Sequence, residues 1–485
     1  LKPERFSPRV RDLILNDIDP LMVLMDDGLS LAMEAPRLLG ATDEGPKTYL
    51  LLVQNEDELR PTGGFITAAG TLLVQGGRIG GLTFSNSGNL DNWSKIYPAP
   101  PWQLKQYMNS AVLVLRDANW YTNFPTAALY AEYLYSYTNA HSVDGVIAFD
   151  QQALIDVLSI TGPIDVDDAP YPIDSTNVIA YMRAAKTPTA EDLASPDWNN
   201  KVFINRITQA LVAKIYSGEI QLEKLAAVLL KALNERHLLL QLDSPAMTAF
   251  LARRHWDGAV GHQAGDYLMV VDTNIGFNKT NAVIESSLFY DVDLTELTHP
   301  ISSLMVVHKN KANAVLVCKH WDKIRLPNEE SYPITDCYWN YLRVYTPKGT
   351  QLLDAKPQFI PAGWMINNQS VPAKVDTLQE EGIVDAQSFG SLQVVPIGET
   401  LSTSFRFGLP PGVLKTVPNS SQYIYNLKVQ KQPGTLAVPI TLRVHLPGGA
   451  SIWKMTEKAV VQSDNVLLET DLRTDIDFEI IFSIP

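Results

Sequence analysis

The chain has 485 residues, of which 46% are hydrophobic, and a formal net charge of −14. This composition is typical of a well-packed globular protein, and the length predicts roughly three domains of ~150 residues each. The acidic balance argues against nucleic-acid binding and against a polybasic contact with anionic lipid, since both need clustered Lys and Arg. No apolar run approaches the ~18 residues of a membrane helix. Because the chain opens on Leu1 rather than Met, we expect a processed or truncated chain with a signal or anchor upstream.

Residues 1–45 predict an N-terminal helical segment, in which apolar side chains recur at helical spacing. Pro20 and Pro36 interrupt the pattern. We expect this segment to pack as a layer against the main domain. A helix lying on a membrane surface is disfavoured, because Asp26 and Asp27 would face anionic lipid.

Residues 46–265 predict an α/β domain with a helical extension. Thr48–Val53 and Ala111–Leu115 are continuous apolar runs typical of buried strands, and Val143–Phe149 is a third strand. Asp150 then suits the N-cap of the following helix. Since strands and helices alternate, we expect a mostly parallel central sheet with right-handed crossovers.

The remaining elements follow from turn residues and periodicity. Gly76 and Gly77 predict a hairpin. Further helices are expected over Thr126–Tyr137, Gln151–Ile160, Val178–Ala185, Phe203–Tyr216, Ile220–Leu233 and Pro245–His255, with a polar loop at Thr187–Asn200. Across residues 266–485, short β-rich runs alternate with Pro- and Gly-containing turns, which predicts a β-sandwich region of one or two modules.

The two cysteines, Cys318 and Cys337, are too few for a zinc site. Their flanks, Ala314–Val317 and Tyr338–Tyr345, are typical of strands, and the polar segment between them contains two prolines. A structural disulfide and two buried thiols both fit this pattern. We expect the disulfide, closing the loop Lys319–Asp336, and therefore an oxidising compartment.

Polar residues follow the apolar runs directly, where strands of the predicted sheet end. They are Gln54, Asn55, Arg116, Asp117 and Asp150. In an open α/β sheet, ligand-binding groups gather at the carboxyl ends of strands. The sequence therefore predicts a candidate site at this edge.

Arg60 precedes a turn that contains Gly63 and Gly64. In one interpretation Arg60 faces a phosphate, because the glycines let backbone amides approach an anion. In the other, Arg60 pairs with Glu58 or Asp57 at the entry to a hairpin. The residue pattern leaves both open.

Arg116 and Asp117 also allow two interpretations. Arg116 could bind a phosphate while Asp117 holds a divalent cation, as phosphoryl transfer requires. A salt bridge that fixes the loop at Trp120 is the favoured interpretation, because one Arg-Asp pair is a weak signal. For Asp150 we expect an N-cap, with a metal role as the alternative.

No metal site is expected elsewhere. The acidic turn of Asp165, Asp167 and Asp168, with Asp174, could bind Ca²⁺, but acidic turns are usually solvated. A second set of oxygen ligands, Asp272, Asn274 and Asn278, lacks the bidentate Glu of an EF-hand, so turn chemistry is expected there.

Seven strings of the chain resemble the bacterial cell-envelope family catalogued as domain of unknown function four-zero-one-two. They are QNEDELRPTGGF (Gln54–Phe65), RDANW (Arg116–Trp120), DGVIAFD (Asp144–Asp150), TGP (Thr161–Pro163), DTNIGFNKTNA (Asp272–Ala282), YWNYLRVYTPKGT (Tyr338–Thr350) and YNLKVQKQPGT (Tyr425–Thr435). The strings span most of the chain. That family carries an N-terminal membrane helix upstream, so the resemblance implies a protein at the bacterial cell surface, anchored by an upstream helix.

The chain more distantly resembles the LytR–CpsA–Psr ligases, which move lipid-linked glycan phosphates onto the cell wall. Glu58 and Arg60 match their acidic-x-Arg element, and Arg116 and Asp117 match their Arg-Asp pair. The resemblance implies a LytR–CpsA–Psr-like fold and, if the site is ligase-like, Mg²⁺ as the possible cofactor. The second arginine cluster of those enzymes is not evident in this chain.

The sequence and its resemblances are therefore compatible with two functions. The first is a non-catalytic surface or assembly protein outside the cytoplasm, with other envelope proteins or glycans as partners and a possible homo-oligomeric state. The second is a phosphotransferase that moves polyprenyl-pyrophosphate-linked glycan to a cell-wall or surface acceptor, with Arg60, Arg116 and Asp117 as catalytic residues. Binding residues in either case are Gln54, Asn55, Glu58, Gly63, Gly64 and Asp150.

Overall fold

The structure, a computed structural model, describes residues 19–484 except 168, 185–201, 262–263, 321–333, 380 and 419. Residues 1–18 of the predicted N-terminal segment, the predicted loop Thr187–Asn200 and Asp168 lie outside these residues. No helix within the described ranges is both long and apolar enough to cross a membrane.

Helix α1 (Asp19–Leu38) packs against the helix Pro245–Arg254 of the α/β part, which agrees with the helical layer expected from the sequence. Asp27, which is buried, forms ion pairs with Arg253 and Arg254. The Ser244 hydroxyl also donates a hydrogen bond to Glu34 at 2.8 Å. Charged and polar contacts therefore join the helix to the domain, while several of its apolar side chains stay exposed: Met22, Met25, Leu29, Leu31 and Met33.

The first sheet has five strands in the order β3-β2-β1-β4-β5. Their bounds are β1 Lys47–Asn55, β2 Phe65–Gln75, β3 Arg78–Asn86, β4 Gly145–Phe149 and β5 Leu238–Leu242. Only β1 and β4 are parallel; the other neighbouring pairs are antiparallel. The chain is thus an α/β part followed by a β-rich part, but the expectation of a mostly parallel sheet is wrong.

Two local features explain the difference. Gly76 and Gly77 have φ values of +57° and +77° and close a tight hairpin, so β2 and β3 must run antiparallel. Ala111–Leu115 is not a strand: the chain there is irregular, Ala111 is exposed while Leu113–Leu115 are buried, and a 3₁₀ helix begins at Leu115 and ends at Trp120. An apolar run indicates burial, but it does not by itself indicate pairing.

Helices cover the five-stranded sheet. Their bounds are α2 Trp102–Tyr107, α3 Phe124–Asn139, α4 Gln151–Thr161, α5 Val178–Ala184, α6 Val202–Tyr216, α7 Leu222–Asn234 and α8 Pro245–Arg254. Pro125 occupies the first turn of α3, and Asp150 caps α4 by accepting a hydrogen bond from the Ala153 N–H at 3.1 Å. Strand β5, which the sequence reasoning placed among helices, joins β4 at the edge of the sheet.

From Asp266 onward the described residues form a β-sandwich of two mixed sheets. The strands are β6 Asp266–Val271, β7 Ile284–Asp293, β8 Ile301–Asn310, β9 Tyr338–Pro347, β10 Gln351–Lys356, β11 Asp376–Leu378, β12 Ala386–Val395, β13 Thr400–Gly408, β14 Leu414–Thr416, β15 Gln422–Gln430, β16 Pro439–His445, β17 Ser451–Met455, β18 Val460–Gln462, β19 Asn465–Asp471 and β20 Ile476–Ser483. One sheet runs β10-β13-β8-β7-β16-β19-β18 and the other β11-β12-β9-β6-β15-β20-β17, with β14 paired to β15. Apolar side chains of both sheets form one core between them. The β-rich second half is therefore confirmed.

Cys318 and Cys337 form the expected disulfide, with an S–S distance of 2.04 Å and a Cα–Cα distance of 5.5 Å. Tyr338 begins β9, as predicted. The other flank, Ala314–Val317, is not a strand: it has no strand pairing and contains no turn or bend.

Reduction of this disulfide is expected to lower the free energy of unfolding by about 3 kcal/mol, because the bond closes a loop of roughly twenty residues in the unfolded chain. Urea denaturation with and without reductant measures the difference. Alkylation of the native protein should label neither thiol, and two alkylated cysteines in native protein would contradict the pairing.

Asp266, at the start of β6, is fully buried in the sandwich. Its carboxylate accepts hydrogen bonds from the Tyr425 hydroxyl at 2.7 Å, the Tyr290 hydroxyl at 2.9 Å and the Tyr267 N–H at 2.8 Å. Burial nevertheless raises the pKa of the Asp266 carboxyl to about 6, although all three hydrogen bonds oppose the rise.

This pKa predicts an unusual pH dependence. Because the folded-state pKa exceeds that of the unfolded chain, the folded state binds the proton more tightly between about pH 4 and pH 6, and Asp266 stabilises the fold as pH falls through that window. The free energy of unfolding of the native protein minus that of Asp266→Asn should therefore rise by roughly 2–3 kcal/mol from pH 7 to pH 4. Urea denaturation of both proteins across this range measures the difference; a difference that is constant with pH would contradict the assignment.

Candidate functional site

The turn after β1 places the first group of predicted site residues. Gln54 holds the turn together: its Nε2 donates to the Thr62 carbonyl at 2.8 Å, and its Oε1 accepts from the Gly64 N–H at 3.3 Å. Asn55 accepts a hydrogen bond from the Asp57 N–H at 3.0 Å and caps the 3₁₀ helix Glu56–Glu58. Gln54 and Asn55 therefore shape the turn and are buried within it.

Arg60, Arg116 and Asp117 lie together, as the sequence predicts. The Arg60 guanidinium contacts Glu58 at 3.2 Å and Asp117 at 3.6 Å, and Arg116 contacts the other oxygen of Asp117 at 3.8 Å. Arg60 also lies over the Phe65 ring, 5.6 Å from its centroid. We call Glu58, Arg60, Arg116 and Asp117 the ion-pair cluster.

The ion-pair cluster is largely closed to solvent. Arg60 is 1% exposed, and Glu58 and Asp117 are also buried; only the Arg116 side chain, at 34%, reaches the surface. Of the two interpretations of Arg60, the contact with Glu58 is present, while Asp57 instead pairs with Arg183 at 2.9 Å. The salt bridge proposed for Arg116 and Asp117 is present as well.

The electrostatics of the cluster follow from its burial. Burial raises the pKa of the Glu58 carboxyl, and the nearby positive charges of Arg60 and Lys279 oppose that rise.

Asp91, which the sequence reasoning missed, accepts a hydrogen bond from the Leu115 N–H at 3.4 Å beside the cluster. Burial raises the pKa of the Asp91 carboxyl to about 6. A carboxyl with this pKa can exchange a proton near neutral pH.

Residues of the β-sandwich close over the turn. The Asn274 N–H donates to the Leu59 carbonyl at 2.8 Å, and the Leu59 N–H donates to Asn281 at 3.0 Å. Gln432 donates to the Arg60 carbonyl at 3.2 Å. The ion-pair cluster therefore lies at the junction between the α/β part and the sandwich.

Glycines allow the closest approach at this junction. An ideal Cβ on Gly434, whose φ is +80°, would lie 1.9 Å from the carbonyl oxygen of Gly63. A Cβ on Gly64 would lie 2.3 Å from the backbone of Asn55. Close backbone packing therefore accounts for the turn at Gly63 and Gly64, whose role in admitting an anion was one of the two interpretations that the sequence left open.

The second loop, Arg116–Trp120, is also fixed from both sides. Asn119 donates hydrogen bonds to Gln54 and to the Gly64 carbonyl, both at 2.7 Å. From the sandwich, Arg343 donates to the Trp120 carbonyl at 3.1 Å, and its guanidinium carbon lies 4.1 Å from the centroid of the Trp120 ring. Arg343 is 1% exposed, so this cation is also enclosed.

Sequence reasoning did not place Asn274, Asn281, Arg343, Gln432 and Gly434 at the site. Each of them nevertheless occurs in one of the strings quoted for the family resemblance. Those strings come from distant parts of the chain and meet at this junction. Their shared resemblance to one family was the signal in the sequence that could have placed these residues at the site.

Asp150 belongs to a separate buried group. One carboxylate oxygen caps α4, and the other lies 2.6 Å from His237 Nδ1. Asp150 has no hydrogen bond or ion pair to Arg60, Arg116 or Asp117 among the contacts of the described residues. Nearby, burial lowers the pKa of the Lys431 ammonium to about 7, and the charge of Asp150 opposes that decrease.

The polar residues considered as metal ligands are engaged elsewhere. Asp272 lies 2.9 Å from His308 and accepts a hydrogen bond from Asn340 at 2.6 Å, and Asn274 accepts one from the Gly276 N–H in its own turn. Across the described ranges, no three His, Cys, Asp or Glu side chains are grouped so that they could hold a metal ion.

One family model matches part of the chain. Residues 44–186 match the family described as "Protein of unknown function (DUF4012)", which confirms that resemblance over this part. No curated protein matches the chain.

Solved structures match at low similarity. A Streptococcus agalactiae protein from a structural genomics consortium has 14% identity and a TM-score of 0.29, covering 45% of this chain and 77% of its own. A transcriptional regulator from Enterococcus faecalis has 13% identity and a TM-score of 0.24, covering 46% and 78%. An M1 zinc metallopeptidase from Deinococcus radiodurans has 13% identity and a TM-score of 0.20, covering 41% and 42%.

Proposed function

Starting from a DUF4012 match over residues 44–186, we propose that this chain is a non-catalytic surface or assembly protein of the bacterial cell envelope that acts outside the cytoplasm. The observation that carries the proposal is the enclosure of Arg60, which is 1% exposed and contacts Glu58 and Asp117. An arginine paired with two carboxylates has much of its charge satisfied before any anion arrives. In this role the cluster fixes the α/β part to the sandwich.

Other features agree with a rigid protein outside the cytoplasm. The Cys318–Cys337 disulfide is typical of oxidising compartments. The net charge of −14 favours solubility and disfavours nucleic acid as a partner. Proposed partners are other envelope proteins or glycans, including further copies of the chain in a larger assembly.

A phosphotransferase of the LytR–CpsA–Psr type is the second candidate. Arg60 Nε and Nη1 are buried and have no hydrogen-bond partner among the described residues. Arg116, which is partly exposed, lies beside them and could meet an incoming pyrophosphate. If the chain were such a phosphotransferase, Asp117 would be the carboxylate beside these arginines that could bind Mg²⁺.

Calorimetric titration with farnesyl pyrophosphate and Mg²⁺ separates the two candidates. The proteins compared are the parent chain, Arg116→Ala and a matched control, Arg78→Ala, which removes an exposed arginine of the β3 hairpin. The proposed function predicts no saturable heat with any of the three.

Saturable binding by the parent and by Arg78→Ala, lost in Arg116→Ala at an unchanged melting temperature, would overturn the proposal in favour of the phosphotransferase. A lower melting temperature of Arg116→Ala, without binding by the parent, would support a structural salt bridge.

A further inference from the structure

A short apolar segment between β8 and the disulfide stands free of the sandwich. We call residues 313–317 the exposed ribbon. Val315, Leu316 and Val317 are 103%, 57% and 85% exposed. Single exposed apolar residues are normal on protein surfaces, but three in succession mark a surface that is normally covered.

The ribbon has the composition of a strand but lacks strand pairing. β-branched and aliphatic residues such as Val315–Val317 favour strands. No hydrogen bond joins the backbone of residues 313–317 to the rest of the described chain. Extended apolar backbone with free N–H and C=O groups is a template for pairing with another strand.

The ribbon is nevertheless anchored at both ends. Before it, the Lys311 N–H donates to the Val283 carbonyl at 2.9 Å. After it, the disulfide holds Cys318, and the His320 N–H donates to the Trp364 carbonyl at 3.1 Å. The ribbon is therefore held at both ends before any partner binds, which lowers the entropic cost of pairing.

Charge indicates the kind of partner. The chain carries a net charge of −14, but residues 309–319 contain Lys309, Lys311 and Lys319 and no acidic residue. All three lysines are exposed, and Lys311 contacts Glu285 at 2.7 Å. A partner with acidic residues beside its binding surface complements this segment, whereas a second copy would bring two such lysine groups together.

We propose that the exposed ribbon is a docking strand that adds to the free edge of a β-sheet in an acidic partner protein. Pairing with a sheet edge satisfies the free backbone groups of residues 313–317 and covers their apolar side chains. Insertion into lipid would cover the side chains but leave the same peptide groups without hydrogen bonds, which is costly in hydrocarbon. The proposal rests on the assembly function above, for which it names the docking surface.

The probe is a synthetic peptide of alternating Thr and Val with two Glu at each end, labelled and titrated with the full chain by fluorescence anisotropy. Two control peptides are compared: one N-methylated at alternate residues, and one with Lys in place of Glu. The protein variants are Val315→Ser/Val317→Ser and a matched control, Val384→Ser, which changes another exposed valine.

Saturable binding of the acidic peptide is the expected result. N-methylation, the Lys peptide and Val315→Ser/Val317→Ser should each weaken binding about tenfold or more. Val384→Ser should bind as the parent does, and all variants should melt with the parent, since the changed side chains are exposed.

Equal binding of the N-methylated peptide would overturn the proposal, and so would the absence of saturable binding. Tighter binding to phosphatidylglycerol vesicles than to the peptide would show a lipid surface instead. Dimerisation that Val315→Ser/Val317→Ser abolishes would show a second copy. If the acidic peptide does not bind, the docking strand is contradicted, but the result of the farnesyl pyrophosphate titration is unaffected. The two experiments therefore test the docking strand and the proposed function separately.

Discussion

Replacing Arg60 by leucine is expected to lower the free energy of unfolding by about 3–5 kcal/mol. The substitution leaves Glu58 buried and without its nearest cation, and among the described residues Asp117 keeps an ion pair with the partly exposed Arg116 alone. Desolvation already raises the pKa of the Glu58 carboxyl in the presence of Arg60, so removal of this cation makes the buried charge still less favourable. Urea denaturation at neutral pH measures the loss.

The double variant Arg60→Leu/Glu58→Leu tests the cause. If the loss comes from an uncompensated buried carboxylate, removal of Glu58 should restore most of it, because an apolar pair can replace a buried ion pair at little cost. Arg78→Leu, which changes an exposed arginine, should cost less than about 0.5 kcal/mol. A loss below about 1 kcal/mol for Arg60→Leu would contradict the structural role of the ion-pair cluster.

Gly434→Ala is expected to cost about 2–5 kcal/mol of unfolding free energy. Gly434 has a φ of +80°, which disfavours any L side chain, and its Cβ would lie 1.9 Å from the carbonyl oxygen of Gly63. Because the obstructing atom belongs to the backbone of the turn that carries Arg60, relief of the clash requires the junction itself to open. Thermal and urea denaturation should both show the loss.

A second glycine separates the two contributions. Gly398 has a similar φ of +75°, but nothing lies within 4 Å of the position that its Cβ would occupy. Gly398→Ala should therefore cost only the conformational strain of about 1–2 kcal/mol. Equal losses at the two positions would mean that the close approach at Gly434 contributes nothing.

Much of the coarse architecture could be predicted from local sequence signals. The spacing of β-rich runs after Asp266 predicts the sandwich, Gly76-Gly77 predicts the hairpin, and Asp150 predicts a helix cap, because each signal acts over a few residues. The convergence of Arg60 with Arg116 and Asp117 was also predicted. The reason given for that prediction was partly wrong, because Asp117 lies in a 3₁₀ helix and does not follow the end of a strand.

What the sequence could not show is which distant loops meet. Periodicity reports burial along one element, so it could not place Gln432 or Asn274 against the turn that carries Arg60. For the same reason, the apolar run of β1 showed a buried strand but not that β2 beside it runs antiparallel. The pairing of Arg60 with acidic side chains depends on these long-range contacts and remained one of two open interpretations.

The junction also sets an order for folding. The hydrogen bond from Gln432 to the Arg60 carbonyl joins residues that are 372 positions apart in the chain. During synthesis, the turn after β1 therefore stays uncovered until most of the sandwich has been made. Contacts between residues so far apart in the sequence also form slowly. A fragment ending before Asp266 would expose Glu58 and Arg60 to water, so the two halves are expected to mature as a single cooperative unit.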